Sequence, residues 1–283
     1  MQSTTWKVSM CVAALVAVCP ELALAQSATG AGATATGTSS VASGTSSTAT
    51  GYGATASGNA TTATGAFSKA TGVNSTADGY NAQALGDYSS AFGLNTTASG
   101  AQSTTLGAGS AATGDYSSAT GAYSQASGYA STANGYAAQA TNTDATAVGV
   151  AAVASGLSST AIGTASKATG PDSTALGVAA QATAANATAL GVSTQATGIN
   201  ATAAGTASSA LGVSSTAYGT SSQATQNYTT ALGTNAQATV NSATAVGAGS
   251  VASGTNATSV GVSSQATKDN ATAVGTSSVA SGD

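Results

Sequence analysis

Tyrosine and aspartate are the residues of this sequence best equipped for chemistry, and they are unevenly placed. Six of the nine tyrosines lie between positions 80 and 136: Tyr80, Tyr88, Tyr116, Tyr123, Tyr129 and Tyr136. The segment GDYSSA occurs at 86–91 and again at 114–119, setting Asp87 beside Tyr88 and Asp115 beside Tyr116. A phenol next to a carboxylate offers amphipathic contact area with both donor and acceptor capacity, which suits binding of protein or sugar. Turnover needs other groups. Beyond residue 25 there is no His, Arg, Glu or Cys, so acid–base and nucleophilic schemes lack their usual players. The seven aspartates are dispersed and form no calcium-type loop. The expectation is a non-enzymatic chain, without metal or cofactor, that makes contact through these six tyrosines with Asp87 and Asp115. The same rings also suit stacking between neighbouring repeats or across an oligomer.

The elements that position these side chains must be built from small residues. The chain has 283 residues, of which 36 are Gly and only 4% are charged. Large apolar side chains are too few for an ordinary core. The strict repetition and two prolines argue against disorder and for order by stacking. The first 25 residues differ in kind. Lys7, the apolar run from Val8 to Val18 and the small-residue site Ala23-Leu24-Ala25 predict a secretory signal peptide over 1–25, which holds both cysteines, Cys11 and Cys19. The remainder, 26–283, carries Lys69, Lys167 and Lys268 against seven aspartates, 3 − 7 = −4. It offers no basic patch for nucleic acid or anionic lipid and no segment for membrane insertion.

From Gly37 to Gly275 every fourteenth residue is glycine, 18 in succession. Halfway between lies a second series, 30 to 282, glycine at 14 of 19 places; Asn142, Ala184, Gln226, Val240 and Lys268 interrupt it. Two residues before these positions stands alanine in 35 of 37 cases, Thr105 and Ser259 being the others. Alternation in a strand points such an alanine to one face and its neighbours to the other. Each glycine is expected to close a strand at a corner requiring φ > 0. Seven residues then make a strand and a corner, and fourteen make one coil. About 18 parallel coils at ~4.8 Å would build a rod of roughly 85 Å. Ala161, Ala175, Ala182 and Ala189 are expected to line a narrow bore, with Gly149, Gly163, Gly177 and Gly191 at its corners.

The outward faces differ. In one strand the residue three before glycine is Thr in 16 of 18 coils, and the residue one before becomes apolar, as at Ile162, Leu176, Leu190, Leu232 and Val246. In the other strand Gln recurs, for example at Gln181 and Gln195, followed two places on by Ser or Thr. A long apolar stripe on a secreted rod needs covering, and packing about a symmetry axis is the economical cover. Two further patterns stand out. Asn-x-Ser/Thr occurs at Asn59, Asn74, Asn95, Asn186, Asn200, Asn227, Asn256 and Asn270, where Asn suits turns and Thr suits strands. The rungs Thr34/Thr36, Thr48/Thr50 and Thr62/Thr64 resemble the threonine ladders of ice-binding solenoids; that, or a purely structural filament, is the alternative function.

The units STALG, SSTAIG, NATALG and SATAVG, alternating with SKATG and SVASG, resemble the head repeats of YadA-like trimeric autotransporter adhesins. The resemblance covers residues 26–283. It implies an all-β, left-handed parallel β-roll of 14-residue coils packed as a homotrimer, with the Thr/Leu side toward the threefold axis. It further implies adhesion, at the bacterial surface or outer membrane or outside the cell, to host extracellular-matrix or cell-surface proteins or glycans. Such adhesins continue into a neck, a coiled-coil stalk and a β-barrel anchor. No heptads or girdled strands are present in this sequence, so the expectation is a head with none of those parts.

Overall fold

Small residues alternating with polar ones wind this chain into a ribbon of very short strands. The computed structural model describes residues 26–282; the predicted signal peptide, with Cys11 and Cys19, lies outside the described residues. Every coil contributes one two-residue strand and one three-residue strand. The two-residue strands are the odd-numbered ones, from β1 (Ser27–Ala28) to β37 (Val279–Ala280). The three-residue strands are the even-numbered ones, from β2 (Thr34–Thr36) to β36 (Thr272–Val274). Among the described residues there is no helix.

The chain divides into two compact units, residues 26–102 and 103–282. In the first, β1 to β11 (Thr97–Ala98) form two parallel ladders, with Thr34 opposite Thr48, Ala35 opposite Ala49 and Thr36 opposite Thr50. In the second, β12 (Thr104–Leu106) to β37 do the same, with Thr174 opposite Thr188, Ala175 opposite Ala189 and Leu176 opposite Leu190. Each partner lies fourteen residues on, one coil away. Each unit is therefore a parallel β-solenoid, and the fourteen-residue period is its pitch.

The alanines two before each glycine face the bore, and Ala161, Ala175, Ala182 and Ala189 are completely buried. The bore is not lined by methyl groups alone, however. The residue three after each glycine also points inward, and there Ser or Thr is common: Ser40, Ser68, Ser131, Ser173 and Thr194 are all buried. Burying a hydroxyl is costly unless it is bonded. Each of these donates to the carbonyl of the glycine three residues back, at 2.8 Å for Ser40, 2.6 Å for Ser173 and 2.5 Å for Thr194. The backbone N–H of the same residue donates to the same oxygen, at 3.2 Å for Ser40 and 3.3 Å for Ser173. The corner thus satisfies most such hydroxyls locally; Ser75 bonds the Ala84 carbonyl instead, and the Ser89 Oγ has no partner among the described residues.

The two residues that replace bore alanine behave differently. Ser259 bonds Ser264 at 2.6 Å, whereas the buried Thr105 Oγ1 has no partner among the described residues.

The corners also correct the expected role of glycine. Glycines of the unbroken series have φ between 111° and 139°, a region that L residues avoid. Gly149, Gly163, Gly177 and Gly191 lie at 129° to 134°. No described glycine of the interrupted series has positive φ. There the constraint is contact: a Cβ on Gly44 would meet the Gly58 carbonyl oxygen at 1.8 Å, and one on Gly198 would meet that of Gly212 at 1.9 Å. The left-handed residue common to both corners is instead the one two after each glycine position. It has φ of 52° to 60° when not glycine, as in Tyr88, Tyr116, Tyr123, Ala179 and Asn186. Its N–H reaches back to the preceding coil, Tyr88 to the Val73 carbonyl at 2.7 Å and Asn186 to that of Pro171 at 2.9 Å.

Candidate binding surfaces

Two surfaces emerge from this winding: the face of the three-residue strands and the two edges made by the corners. On the strand face, each threonine three before glycine is flanked by the residue one before glycine, and the ladder brings those last residues into columns. In the second unit the column begins Leu106, Thr120, Asn134 and then runs apolar, Val148, Ile162, Leu176, Leu190, Ala204, Tyr218, Leu232, Val246, Val260, Val274, in register. Ile162, Leu176, Leu190 and Leu232 are 36–47% exposed, and Val246 is half-buried. These side chains face away from the bore, and among the described residues no helix is present to cover them. In the first unit the corresponding column is Thr36, Thr50, Thr64, Asp78, Phe92. Threonine rungs facing one another end there at Asp78, after three coils.

Charge is segregated in the same way. No three-residue strand of the second unit carries a charged side chain. Lys167 lies on the opposite face in β21 (Lys167–Ala168), and Lys268, Asp115, Asp144, Asp172 and Asp269 lie at or beside corners.

The six tyrosines are divided between two edges. Tyr80, Tyr123 and Tyr136 follow glycines of the unbroken series; Tyr88, Tyr116 and Tyr129 follow the interrupted series, as do Asp87 and Asp115. All six rings are more than half exposed. Tyr123 meets Tyr136 edge-to-face with centroids 5.9 Å apart, and Tyr116 meets Tyr129 at 5.4 Å. In the first unit Tyr80 meets Phe67 at 5.7 Å, and Phe67 meets Tyr52 at 5.2 Å. Sequence reasoning passed over Tyr52 and Phe67. The clue for Phe67 is a spacing of thirteen, from the left-handed residue of one corner to the first residue after glycine in the next coil; Tyr52 lies fifteen before Phe67. Phe67/Tyr80, Tyr116/Tyr129 and Tyr123/Tyr136 all share the spacing of thirteen. Gly53 and Gly109 sit beneath such rings, where a Cβ would come within 3.1 Å of Phe67 and 2.9 Å of Tyr123.

Asp87 has a local task as well. Its Oδ1 accepts from the Val73 N–H at 2.8 Å, capping the corner of the coil before it. Asn59, Asn227 and Asp269 cap Thr45, Val213 and Thr255 from the same position. Asp115 occupies that place in the second unit and is exposed. Six of the eight sequon asparagines, Asn74, Asn95, Asn186, Asn200, Asn256 and Asn270, sit at the left-handed corner position with φ of 54° to 59°. Asn tolerates that conformation better than most residues, so the turn accounts for them. Asn186 Nδ2 also donates to Asn200 Oδ1 at 3.0 Å, tying adjacent coils.

Comparison with known proteins places these surfaces in context. The sequence matches the YadA head domain repeat over residues 28–54, 42–68, 70–96, 98–124, 126–152, 140–166, 154–180, 168–194, 196–222, 224–250, 252–278 and 266–283. Among solved structures, the collagen-binding domain of the Yersinia adhesin YadA matches with 24% identity and a TM-score of 0.32. That match covers 59% of this chain and 69% of the YadA domain. No curated protein gave a significant match.

Proposed function

The chain belongs to the YadA head domain repeat family, and from that premise we propose that it is the exported, surface-exposed head of an adhesin, acting as a homotrimer without catalysis or cofactor. Residues 1–25 direct export, and residues 26–283 form the head. The observation that carries the reading is the uncharged apolar column from Val148 to Val274, which stands exposed along one face of the second unit. Water tolerates scattered apolar side chains but disfavours a continuous strip of them, so the strip is covered by other copies of the chain. What remains outside is the Gln/Ser/Thr face and both aromatic edges. Tyr80, Tyr88, Tyr116, Tyr123, Tyr129 and Tyr136, with Asp87 and Asp115, then supply the contacts to host extracellular-matrix or cell-surface protein or glycan.

Sedimentation of the secreted chain tests the assembly; a stable monomer overturns it. Adhesion to matrix-coated surfaces tests the contacts. Deleting residues 114–141 removes two whole coils and four of the tyrosines, and keeps the repeat in phase. Deleting 240–267 removes two coils without aromatic residues. Adhesion is expected to fall only with the first deletion. Equal loss, or no loss, from both deletions overturns the assignment of the tyrosines.

A further inference from the structure

A stack of near-identical coils meets a difficulty that an irregular surface does not. Register is weakly specified wherever a repetitive surface pairs with itself. From Val148 to Val274 the face of the three-residue strands nearly repeats at every coil, so over that run a second copy displaced by one coil finds almost the same surface. Such a slip loses only the contact of a terminal coil, unless some part of the column breaks the pattern.

The apolar run breaks it at one place. From Val148 to Val274 the residue before each glycine is Val, Ile or Leu, except for Ala204 and Tyr218. They are adjacent rungs, with Leu190 opposite Ala204, Ala204 opposite Tyr218 and Tyr218 opposite Leu232. Ala204, 8% exposed, forms the floor of an open notch of about 470 Å³ walled by Leu190, Tyr218, Thr220 and Thr234. Tyr218, one coil on, stands 63% exposed. A hole and a knob therefore lie one rung apart, in a column that is otherwise even.

We propose that Ala204 and Tyr218 form a key that fixes the axial register in which copies of this chain pack, the Tyr218 ring of one copy entering the notch over Ala204 of the next. The proposal rests on the self-association argued above. Three observations name a second copy as the occupant. Only a surface with the same fourteen-residue pitch matches these ridges along their length. The chain is net negative at −4, so like copies approach most easily through a face without charge, and this face of the second unit has none. Finally, the thirteen uncharged rungs of this face from β12 to β36, the last ten of which carry the apolar run, give at ~4.8 Å per rung and a strand width of ~10 Å a strip of roughly 600 Å² per copy, hence ~1,200 Å² for a pair. That is the lower end of stable interfaces, where one unfilled notch matters.

Closure of a symmetric ring sets the level of the copies, because displacements around a closed ring must sum to zero. With no displacement, each Tyr218 ring leans by one rung, about 4.8 Å, and every notch is filled. A copy displaced by one coil fills the notch on one side. On its other side it drives Tyr218 against Leu232, which overpacks that contact and leaves a notch vacant.

Beyond residue 25 the chain contains no cysteine, so introduced thiols report register cleanly. A tagged Ile162→Cys chain is co-produced with an untagged Leu176→Cys chain, adjacent rungs outside the notch, and the secreted protein is oxidised. Like-with-like disulfides report zero displacement; mixed disulfides report a displacement of one coil. In the native background like-with-like pairs are expected to dominate. In an Ala204→Leu, Tyr218→Leu background the mixed species is expected to rise about threefold or more, with the copy number in sedimentation unchanged. The inverted pair Ala204→Tyr, Tyr218→Ala keeps a knob beside a hole and is expected to restore the native ratio. An unchanged ratio in the all-leucine background, at unchanged copy number, overturns the key alone. A monomer in the native background overturns the self-association and the key together.

Discussion

The two edges of the coil carry similar glycine series, yet one is unbroken over 18 positions and the other is interrupted five times. Space alone predicts the reverse. A Cβ added on the interrupted edge meets the next coil's carbonyl oxygen at 1.9 Å from Gly72 or Gly198, closer than the 2.3 Å from Gly177 or 2.4 Å from Gly163 on the unbroken edge. Conformation decides instead. On the unbroken edge φ exceeds 110° throughout, and an L residue is strained there whatever room it finds. On the interrupted edge φ is not positive, so a side chain needs only that the neighbouring coil yield. The N–H just before an interruption reaches the next coil at 3.1 Å for Thr141, Thr183, Thr225 and Thr267 and at 3.2 Å for Thr239, slightly longer than the 2.8–3.0 Å found where glycine follows, as at Leu85, Thr71, Thr169 and Thr197. A contact can be relieved by a few tenths of an ångström spread over two coils, whereas a forbidden dihedral cannot.

The largest effect that tests this contrast is a matched pair of substitutions. Gly177→Ala combines a forbidden φ of 134° with the close carbonyl, and is expected to cost on the order of 3 kcal/mol. Gly198→Ala meets only the carbonyl and is expected to cost about 1 kcal/mol. Because solenoid stability is a sum of local terms, the readout is hydrogen exchange of amides in the mutated coil and its neighbours. Equal loss of protection at both sites would contradict the division between dihedral and contact.

A smaller effect probes the bore, which both edges must close. Thr105 places a hydroxyl without a partner where nearly every other coil has alanine, while Ser259 in the equivalent place bonds Ser264. Replacing an unsatisfied buried hydroxyl by a methyl of the same shape recovers its desolvation penalty, so Thr105→Val is expected to stabilise its coil by about 1 kcal/mol. Ser259→Ala is expected to be near neutral. The same exchange measurement checks both; destabilisation by Thr105→Val would contradict the reading of the hydroxyl as unsatisfied.

These residues also mark how far the sequence can be read. The alanines two before glycine are legible as inward because alternation is a property of any strand and alanine is the only residue type that recurs there. The serine three after glycine lies on the same inward phase, yet its residue type does not mark it as inward. Its burial depends on a bond to a corner carbonyl, and that bond exists only once the turn is formed. The left-handed corner residue is harder still. Tyr88, Ala179, Ser193 and Asn186 share a φ near 55° but no side-chain property. The conformation is imposed by the N–H that each must return to the previous coil, so composition carries only a partial trace of it, in the asparagines and glycines that recur there. Among the surface residues, the spacing of thirteen that pairs Tyr116 with Tyr129 was available from the start. It is invisible to a search at fourteen, because the rings meet diagonally, between successive positions of adjoining corners.

The smallest effect tests the contrast between edges in reverse. If the interruptions are tolerated contacts rather than useful side chains, restoring glycine relieves strain but adds backbone freedom to the unfolded chain. Ala184→Gly is expected to shorten the contact now at 3.1 Å between Thr183 and Ala196, and the unfolded-state entropy opposes that gain by about 0.4–1 kcal/mol. The two terms are of similar size, so the net change in protection around residues 182–198 is expected to stay within about 0.5 kcal/mol of zero. A stabilisation well above that would mean the neighbouring coil is strained more than its hydrogen-bond lengths suggest. A clear loss would mean the Ala184 methyl contributes packing of its own, and the interrupted edge would then be held by the same kind of contact as the bore.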